Sequence, residues 1–469
     1  MSLHRLSPIF ILFVILMSAL TACIEDGFTT SPSDQPSFAS DTVSLGLVFT
    51  EDGTPTRRFL VYNRHDKMLN ISRIAIRPGG SGAFRVNVDG LSGEQFENVE
   101  IRPNDSIYVF VEATLPRTGD IAPVEVTDIL DFETNGVTSS VVLHATGQDA
   151  ERVRATTIEG DVHWEPGLPR IIYDSLVVAP GASLTLGAGV RLHFHDKASL
   201  TVRGTLVSDG TPENPVIMEG DRTGNVISGV SFDIMASQWG GVEFTPTSRG
   251  NRMSYTMVRN TEYGVLADST ELYLLDCRLR NSGYRALAAA HTDLTAIGCE
   301  LADASQGVVY VRGGKAVFNH CTIANYYLFS ALGGPAVGLA HTGFVDKKGA
   351  VDDDGSSTPY LTADFDNCII YGNGSDLSHP DLKGTSVRMR RCLLKSNGSD
   401  DENFINCIWG EDPLYYTVRE EYIFDYRLHQ ESPAVGAADP SLTHFDLVTD
   451  YYGTPRTATI GAYEPLPEE

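Results

Sequence analysis

The chain has 469 residues, 42% of them hydrophobic, with 61 Asp and Glu against 35 Lys and Arg for a net charge of −26. So acidic a body repels nucleic-acid phosphates and anionic lipid headgroups, which argues against a nucleic-acid partner and against membrane contact through basic patches. The length asks for two or more domains, and the seven cysteines, none in metal-binding spacing and only one before Cys277, do not read as a disulfide framework.

Residues 1–22 read "MSLHRLSPIFILFVILMSALTA": one early Arg5, an apolar run from Ile9 to Leu20, then small residues. That is a secretory signal peptide, too short for a stable membrane span. With Cys23 the stretch "LTAC" resembles the bacterial lipobox, which implies lipidation of Cys23 after cleavage. Glu25 and Asp26 follow, and acidic residues in that place resemble the surface-export signal of Bacteroidetes lipoproteins. The resemblance implies a lipid-anchored protein on the outer face of an outer membrane, its only membrane contact the N-terminal lipid. Residues 23–40 are rich in Ser, Pro, Thr and Asp, and are expected to form a flexible tether.

Between residues 41 and 150 the texture changes to short alternating runs, "RRFLVYN", "AFRVNVDG" and "DSIYVFVEATL" among them, divided by Gly, Asn and Asp. Period-two alternation such as Phe84, Val86, Val88 and Ile107, Val109, Val111 predicts an antiparallel β-sandwich. The segment resembles the immunoglobulin-like, Hydin-type module of bacterial surface proteins, which implies a spacer or adhesion unit.

Residues 151–440 carry a repeat. Cys277, Cys299 and Cys321 follow one another at 22 residues, Cys368 comes 47 later, and Cys392 another 24 on. Five and three before each cysteine, and two after, stand Leu272, Leu274, Leu279; Leu294, Ala296, Leu301; Ala316, Phe318, Ile323; Ala363, Phe365, Ile370; Val387, Met389, Leu394. All are apolar, and two steps of two joined across a corner describe short strands that turn every one of these residues inward. Asn281, Asp303 and Asn325 recur four after the cysteine, where a sharp turn tolerates them. A period near 22 with very short strands predicts a parallel β-helix of about 12 coils. "QWGGVEF" and "MSYTMVRNTEYGV" strengthen a resemblance to the right-handed β-helix, pectate-lyase-like superfamily. The fold class is therefore all-β: a sandwich, then a right-handed parallel β-helix.

"DYRLHQESPAVGAAD" (Asp425 to Asp439) and "DYYGTPRTATIGAYE" (Asp450 to Glu464) resemble the closing text of bacterial surface β-helix proteins. Residues 441–469 are expected to cap the last coil. Gly436 and Thr459 replace the usual acids, which weakens the expected pairing of Arg456 with Asp450 or Glu464.

The superfamily hosts lyases, hydrolases and inert stalks, so the site has to be found on its own evidence. A polysaccharide lyase needs an acidic group or calcium to neutralise a uronate, and an Arg or Lys to take the α-proton. Asp364 and Asp366 lie one coil from Arg388 and Arg390, with Arg391 and Lys395 beyond, and form the best lyase-like juxtaposition; an ion-pair ladder is the plainer reading. Asp352, Asp353 and Asp354 form an oxygen-rich loop to which calcium is suited, although acidic loops are commonly just solvated. His193 and His195 are expected on the solvent side of one strand, without a third metal ligand. Trp239, Tyr326, Tyr327, Tyr360 and Tyr371 lie at corners and insertions and are the candidate sugar-stacking rings. His320 and Cys321, adjacent in "NHCTIA", look like a dyad in isolation; in register the cysteine points inward and the histidine outward.

The favoured reading is non-catalytic binding of extracellular polysaccharide or another surface. The alternative is a calcium-assisted polysaccharide lyase or a glycoside hydrolase on acidic glycans, and a ligand-free stalk is a third.

Overall fold

Alternation decides the first half of the chain and the corner residues decide the second. The computed structural model describes residues 27–227, 230–340, 344–345, 351–352, 361–378 and 385–467, and the chain divides after Asp149 into two units.

The first unit is a sandwich of two five-stranded sheets. One runs in the order Ser37–Phe38, Arg57–Tyr62, Ser106–Ala113, Phe84–Val88, Leu91–Gly93; the other Thr42–Phe49, Val137–Gln148, Val124–Thr134, Leu69–Ile76, Gln95–Ile101. Pairings are antiparallel except that of Thr42–Phe49 with Val137–Gln148. Phe84, Val86 and Val88 face inward, as predicted, and meet Val109, Val111 and Phe132 from the neighbouring strands. The hairpin at Asn135-Gly136 has positive φ at both residues, the twist-matched turn that Asn-Gly favours.

The expected tether is part of this unit from residue 27 onward. Gln35 donates to the Thr134 carbonyl at 3.0 Å, Asn135 donates to those of Ser31 and Asp34, and Ser37–Phe38 pairs with Tyr62 and Val61. Its small polar side chains serve as turn formers, with Thr29 bonded to Asp34, so a composition that resembles a linker makes a docked strap here.

The second unit is a parallel β-helix whose strands form one continuous ladder of 26. Sheet one contains Ser199–Val202, Gly241–Phe244, Val265–Asp268 and Val337–Ala340; sheet two contains Asn251–Ser254, Glu271–Leu275, Leu361–Asp366 and Thr385–Arg390. The long strands Leu287–Ile297 and Val309–Asn319 bend from sheet one into sheet two. Sheet three contains Thr256–Arg259, Arg278–Ser282, Glu300–Ala304, Thr322–Asn325 and Ile369–Gly372. Every inward residue named from the repeat is buried, none more than 4% exposed.

The corner between sheets two and three is one residue long and left-handed: Asp276, Gly298, His320, Asn367 and Arg391 all have φ between 46° and 64°. Each is followed by a cysteine that returns to the core, where the thiols of Cys277, Cys321, Cys368 and Cys392 donate to a backbone carbonyl of the preceding coil, as Cys277 does to Met253 and Cys392 to Phe365, and that of Cys299 to Ile297. The cysteines are free thiols. Asn281 and Asp303 are left-handed as expected, whereas Asn325 is not; its side chain bonds both backbone groups of Ala304 instead. Aromatic rungs stack inside, Phe318 on Phe365 at 4.6 Å and Phe194 on Trp239 at 4.0 Å.

Residues from Tyr426 onward do not close the end of the solenoid as a cap. They run back along the outside of sheet three, where Tyr426 and Tyr463 pack with Ala302 and Ala324, and Leu428 and Ile460 with Ile369 and Leu393. The outer side of sheet three carries Ala302, Ala324, Ile369 and Leu393 beside the charged Arg278, Arg280 and Glu300, and the closing strap covers it.

Candidate functional site

The lyase-like constellation is assembled, but as closed pairs. Asp364 stands opposite Arg388 and Asp366 opposite Arg390 on adjacent strands. Arg388 Nε donates to Asp364 at 2.7 Å and Arg390 Nε to Asp366 at 2.6 Å, each with a second bond from Nη2. The Asp364 carboxylate raises the Arg388 guanidinium above its ordinary pKa, and Asp366 does the same to Arg390. A proton-abstracting base needs the opposite shift, so this is an ion-pair ladder.

The candidate sugar platforms are placed elsewhere than expected. Trp239 is 1% exposed, stacked inside the coil on Phe194, its indole N–H bonded to the Arg259 carbonyl at 2.7 Å. Tyr327 is buried, and Tyr326 packs against Tyr415 and Tyr426 beneath the strap. Tyr371 lies at the edge of the apolar cluster formed with Ile369 and Leu428. A sugar needs an open ring face; Trp239 and Tyr327 are buried, and Tyr326 and Tyr371 are partly covered. His193 also departs from expectation: it is 4% exposed and sits 3.5 Å from Glu219, while His195 is exposed and bonds Asp221 at 2.6 Å. Burial lowers the His193 pKa.

Asp353, Asp354, Tyr360 and Cys23 lie outside the described residues, as does the side chain of Asp352. Among the described residues no group of three His, Cys, Asp or Glu side chains is arranged to hold a metal ion. No helix among them is long and apolar enough to cross a membrane.

One open depression, of about 320 Å³, lies on the outside of sheet two, lined by Gly250, Asn251, Arg252, Glu271, Leu272, Tyr273, Asp293 and Thr295. Alternation builds it. Leu272 and Leu294 turn inward and anchor their strands, so Glu271 and Tyr273, and beside them Asp293 and Thr295, turn outward in direct register. The Arg252 guanidinium lies 5.6 Å from the Tyr273 ring centre, one strand away. The Tyr273 hydroxyl donates to Asp446 of the closing strap, and burial pushes its phenol up. Glu271 accepts from the Gly250 backbone N–H at 2.6 Å, which leaves its second oxygen to the depression. The site therefore offers a half-buried ring, a guanidinium, two carboxylates and a hydroxyl. None of these residues stood out in the sequence, because single outward polar residues on a solenoid look like solvation.

The strap holds a second group of charges, largely enclosed. Glu300, 1% exposed, lies between Arg278 and Arg280 at 3.3 and 3.4 Å and accepts from the Tyr463 hydroxyl at 2.6 Å. Arg456 pairs with Glu464 at 3.3 Å and donates to the Gly461 carbonyl at 2.7 Å. Thr459, in place of the usual acid, donates to Glu464 at 2.8 Å. Asp450 accepts from the backbone N–H groups of Tyr452, Thr454 and Glu464. These groups fold the strap and dock it, with Glu300, Glu464 and Asp450 buried and Arg278 and Arg280 only slightly exposed.

No family model and no curated protein matches the chain. A family 123 glycoside hydrolase from Clostridium perfringens is similar over 25% of this chain and 30% of its own, at 9% identity and TM-score 0.18. A protein of unknown function from Porphyromonas gingivalis W83 is similar over 27% of this chain and 60% of its own, at 11% identity and TM-score 0.18. The chain thus spans less than two thirds of either structure, and likeness at that level carries no functional argument.

Proposed function

We propose that this protein is a surface lipoprotein, anchored by lipid on Cys23 to the outer face of an outer membrane, whose β-helix binds extracellular polysaccharide without cleaving it. The observation that carries the binding role is the depression on sheet two, where Arg252, Tyr273, Glu271, Asp293 and Thr295 converge on a volume at the scale of a small-ligand site. A ring edge with donors and acceptors around it is what a saccharide residue needs: an apolar CH face to cover and hydroxyls to bond.

Binding is favoured over cleavage by the placement of the carboxylates. Glu271 and Asp293 stand side by side on adjacent parallel strands and point the same way. Glycoside hydrolysis needs two carboxyl groups flanking the scissile bond. The Arg388 and Arg390 pairs, for their part, hold the protonated form that a lyase base must leave.

Retention of the soluble body, from residue 27 onward, on a panel of immobilised neutral and acidic polysaccharides tests the reading. Wild-type protein is expected to be retained on at least one matrix, and Arg252→Ala with Asp293→Ala to lose that retention at unchanged melting temperature. Retention that survives both substitutions removes the site. The release of unsaturated or reducing ends during incubation would replace binding with catalysis. In cells, Cys23→Ala should move the protein from the membrane to the soluble fraction.

A further inference from the structure

We infer that the outside of sheet one carries a second site, at Arg285 and Arg312 with Tyr284 and Tyr310, and that it takes the carboxylate or sulfate group of an acidic saccharide. The assignment to a saccharide rests on the polysaccharide role proposed above; the oxyanion chemistry rests on the arginines alone.

Several arginines of this β-helix are matched to acids. Arg278 and Arg280 share Glu300, Arg388 and Arg390 have Asp364 and Asp366, and Arg259 has Glu219 and Asp233. Arg285 and Arg312 are different. Their Nε atoms are buried and without a hydrogen-bond partner, as are those of Arg278 and Arg280, but among the described residues no carboxylate pairs with Arg285 or Arg312, and none acts on Arg285, whose pKa burial lowers. Arg312 is 8% exposed. In a chain of net charge −26, a guanidinium enclosed to that degree without an acid among the described residues is out of pattern. Buried cations are kept only where something pairs with them.

The surroundings hold the charge without neutralising it. The Arg285 guanidinium stacks 3.9 Å from the Tyr310 ring centre and 5.2 Å from that of Tyr284. Stacking uses the flat faces of a guanidinium and leaves its edge N–H groups, the fork that matches a planar carboxylate or a sulfate, for hydrogen bonds. Arg312 is two residues along the same strand from Tyr310, hence on the same side, and its charge acts on the Tyr310 phenol. Tyr310 is flanked in register by Ala288 and Gly338, and Arg312 by Ala290 and Ala340. A side chain at 338 would begin 2.8 Å from the Tyr310 ring, so the glycine keeps that ring in place. Two cations and a tyrosine ring thus stand above a floor of small residues. A uronate or sulfated sugar offers the complement, an oxyanion joined to a ring.

Isothermal titration of the soluble body with oligosaccharides matched in length, one neutral, one glucuronate-bearing and one sulfated, tests the inference, with inorganic sulfate as the bare-anion probe. An acidic oligosaccharide is expected to bind more tightly than the neutral one, with affinity falling as salt rises. Arg312→Gln and Arg285→Gln are each expected to weaken that binding about tenfold, while Arg252→Ala leaves the acidic preference in place. Preference for the carboxylate or for the sulfate names the group. Equal affinity for acidic and neutral oligosaccharides, or acidic binding lost on Arg252→Ala and kept on Arg312→Gln, overturns this site and leaves the sheet-two reading standing. Binding of inorganic sulfate alone, with no saccharide bound, overturns the saccharide assignment. Because each substitution removes an uncompensated buried charge, Arg312→Met is expected to melt no lower than wild type. If it does melt lower, the acidic-over-neutral comparison on wild-type protein still decides.

Discussion

Nη2 of Arg456 lies 2.7 Å from Nδ1 of His320, a cation against an imidazole that no solvent reaches. The ring is held at both nitrogens: the Thr459 carbonyl lies 3.0 Å from Nδ1, and Thr443 Oγ1 and Asn367 Nδ2 lie 2.8 and 3.0 Å from Nε2. Burial first, then Arg456, lowers the His320 pKa from 6.5 to about 3. The unfolded chain takes up a proton near pH 6.5 that the folded one refuses until about pH 3. Stability from His320 is therefore whole above pH 6.5 and is lost as pH falls through that window. Melting curves from pH 7 to pH 4 should show this fall, and His320→Ala should flatten part of it. That variant is also expected to lose about 1–3 kcal/mol at pH 7, because buried groups around the ring, Thr443 Oγ1 among them, lose a hydrogen-bond partner. A pH dependence unchanged by the substitution would show that His320 does not titrate as argued.

Asp276, in the same stack of left-handed corners, works in the opposite direction. Its carboxylate is 1% exposed, neither oxygen has a hydrogen-bond partner, and burial raises its pKa to about 8. A raised carboxyl contributes its stability below pH 3.8 and loses it as pH rises through 8. Asp276→Asn should hence gain on wild type with rising pH, by on the order of 3 kcal/mol at pH 9. Urea midpoints at pH 5 and pH 9 check it, and an equal midpoint difference at both values refutes it.

These two residues show how far the sequence could be read. The 22-residue period placed every inward rung, because in a coil that alternates, residue parity alone decides which side chains reach the core. It also separated Cys321 from His320, the inward from the outward. What parity cannot tell is whether a second layer lies on the outer side. His320 and Tyr326 point away from the coil core and are covered by the closing strap, the first wholly and the second in part. A signal was present: Ala302, Ala324, Ile369 and Leu393 put apolar residues on the outer side of sheet three as well, and apolar positions on both sides of a strand need cover. Trp239 failed for another reason. It follows a long excursion, and a tryptophan beside an excursion looks exposed when its stacking partner, Phe194, is 45 positions away in the sequence.

Trp239→Ala should thus act on stability and not on ligand. Removing a ring that is 1% exposed and stacked on Phe194 leaves a cavity in the early coils, at a cost of about 3–5 kcal/mol. Denaturant unfolding should report that loss, with polysaccharide retention per folded molecule unchanged. Retention that falls while the unfolding midpoint holds would restore Trp239 as a contact residue.

The two Arg–Asp pairs of sheet two offer a test of burial at constant geometry. Both are two-bonded, and their strands are in register. The Arg388 side chain is 49% exposed and the Asp364 side chain 15%, against 29% and 8% for Arg390 and Asp366. Water screens the first pair more, so a double-mutant cycle through Arg388→Ala and Asp364→Ala should give a coupling of about 0.2–1 kcal/mol. Arg390→Ala alone should cost about 1–3 kcal/mol, because it strands Asp366 in a setting where burial already raises its pKa. The pH sign follows: without Arg390, Asp366 is still harder to ionise, so the variant's deficit should shrink as pH falls towards 4. Urea unfolding at pH 7 and pH 4 measures it. A deficit of the same size at both values would place the cost in lost packing of the arginine stem and not in the stranded charge.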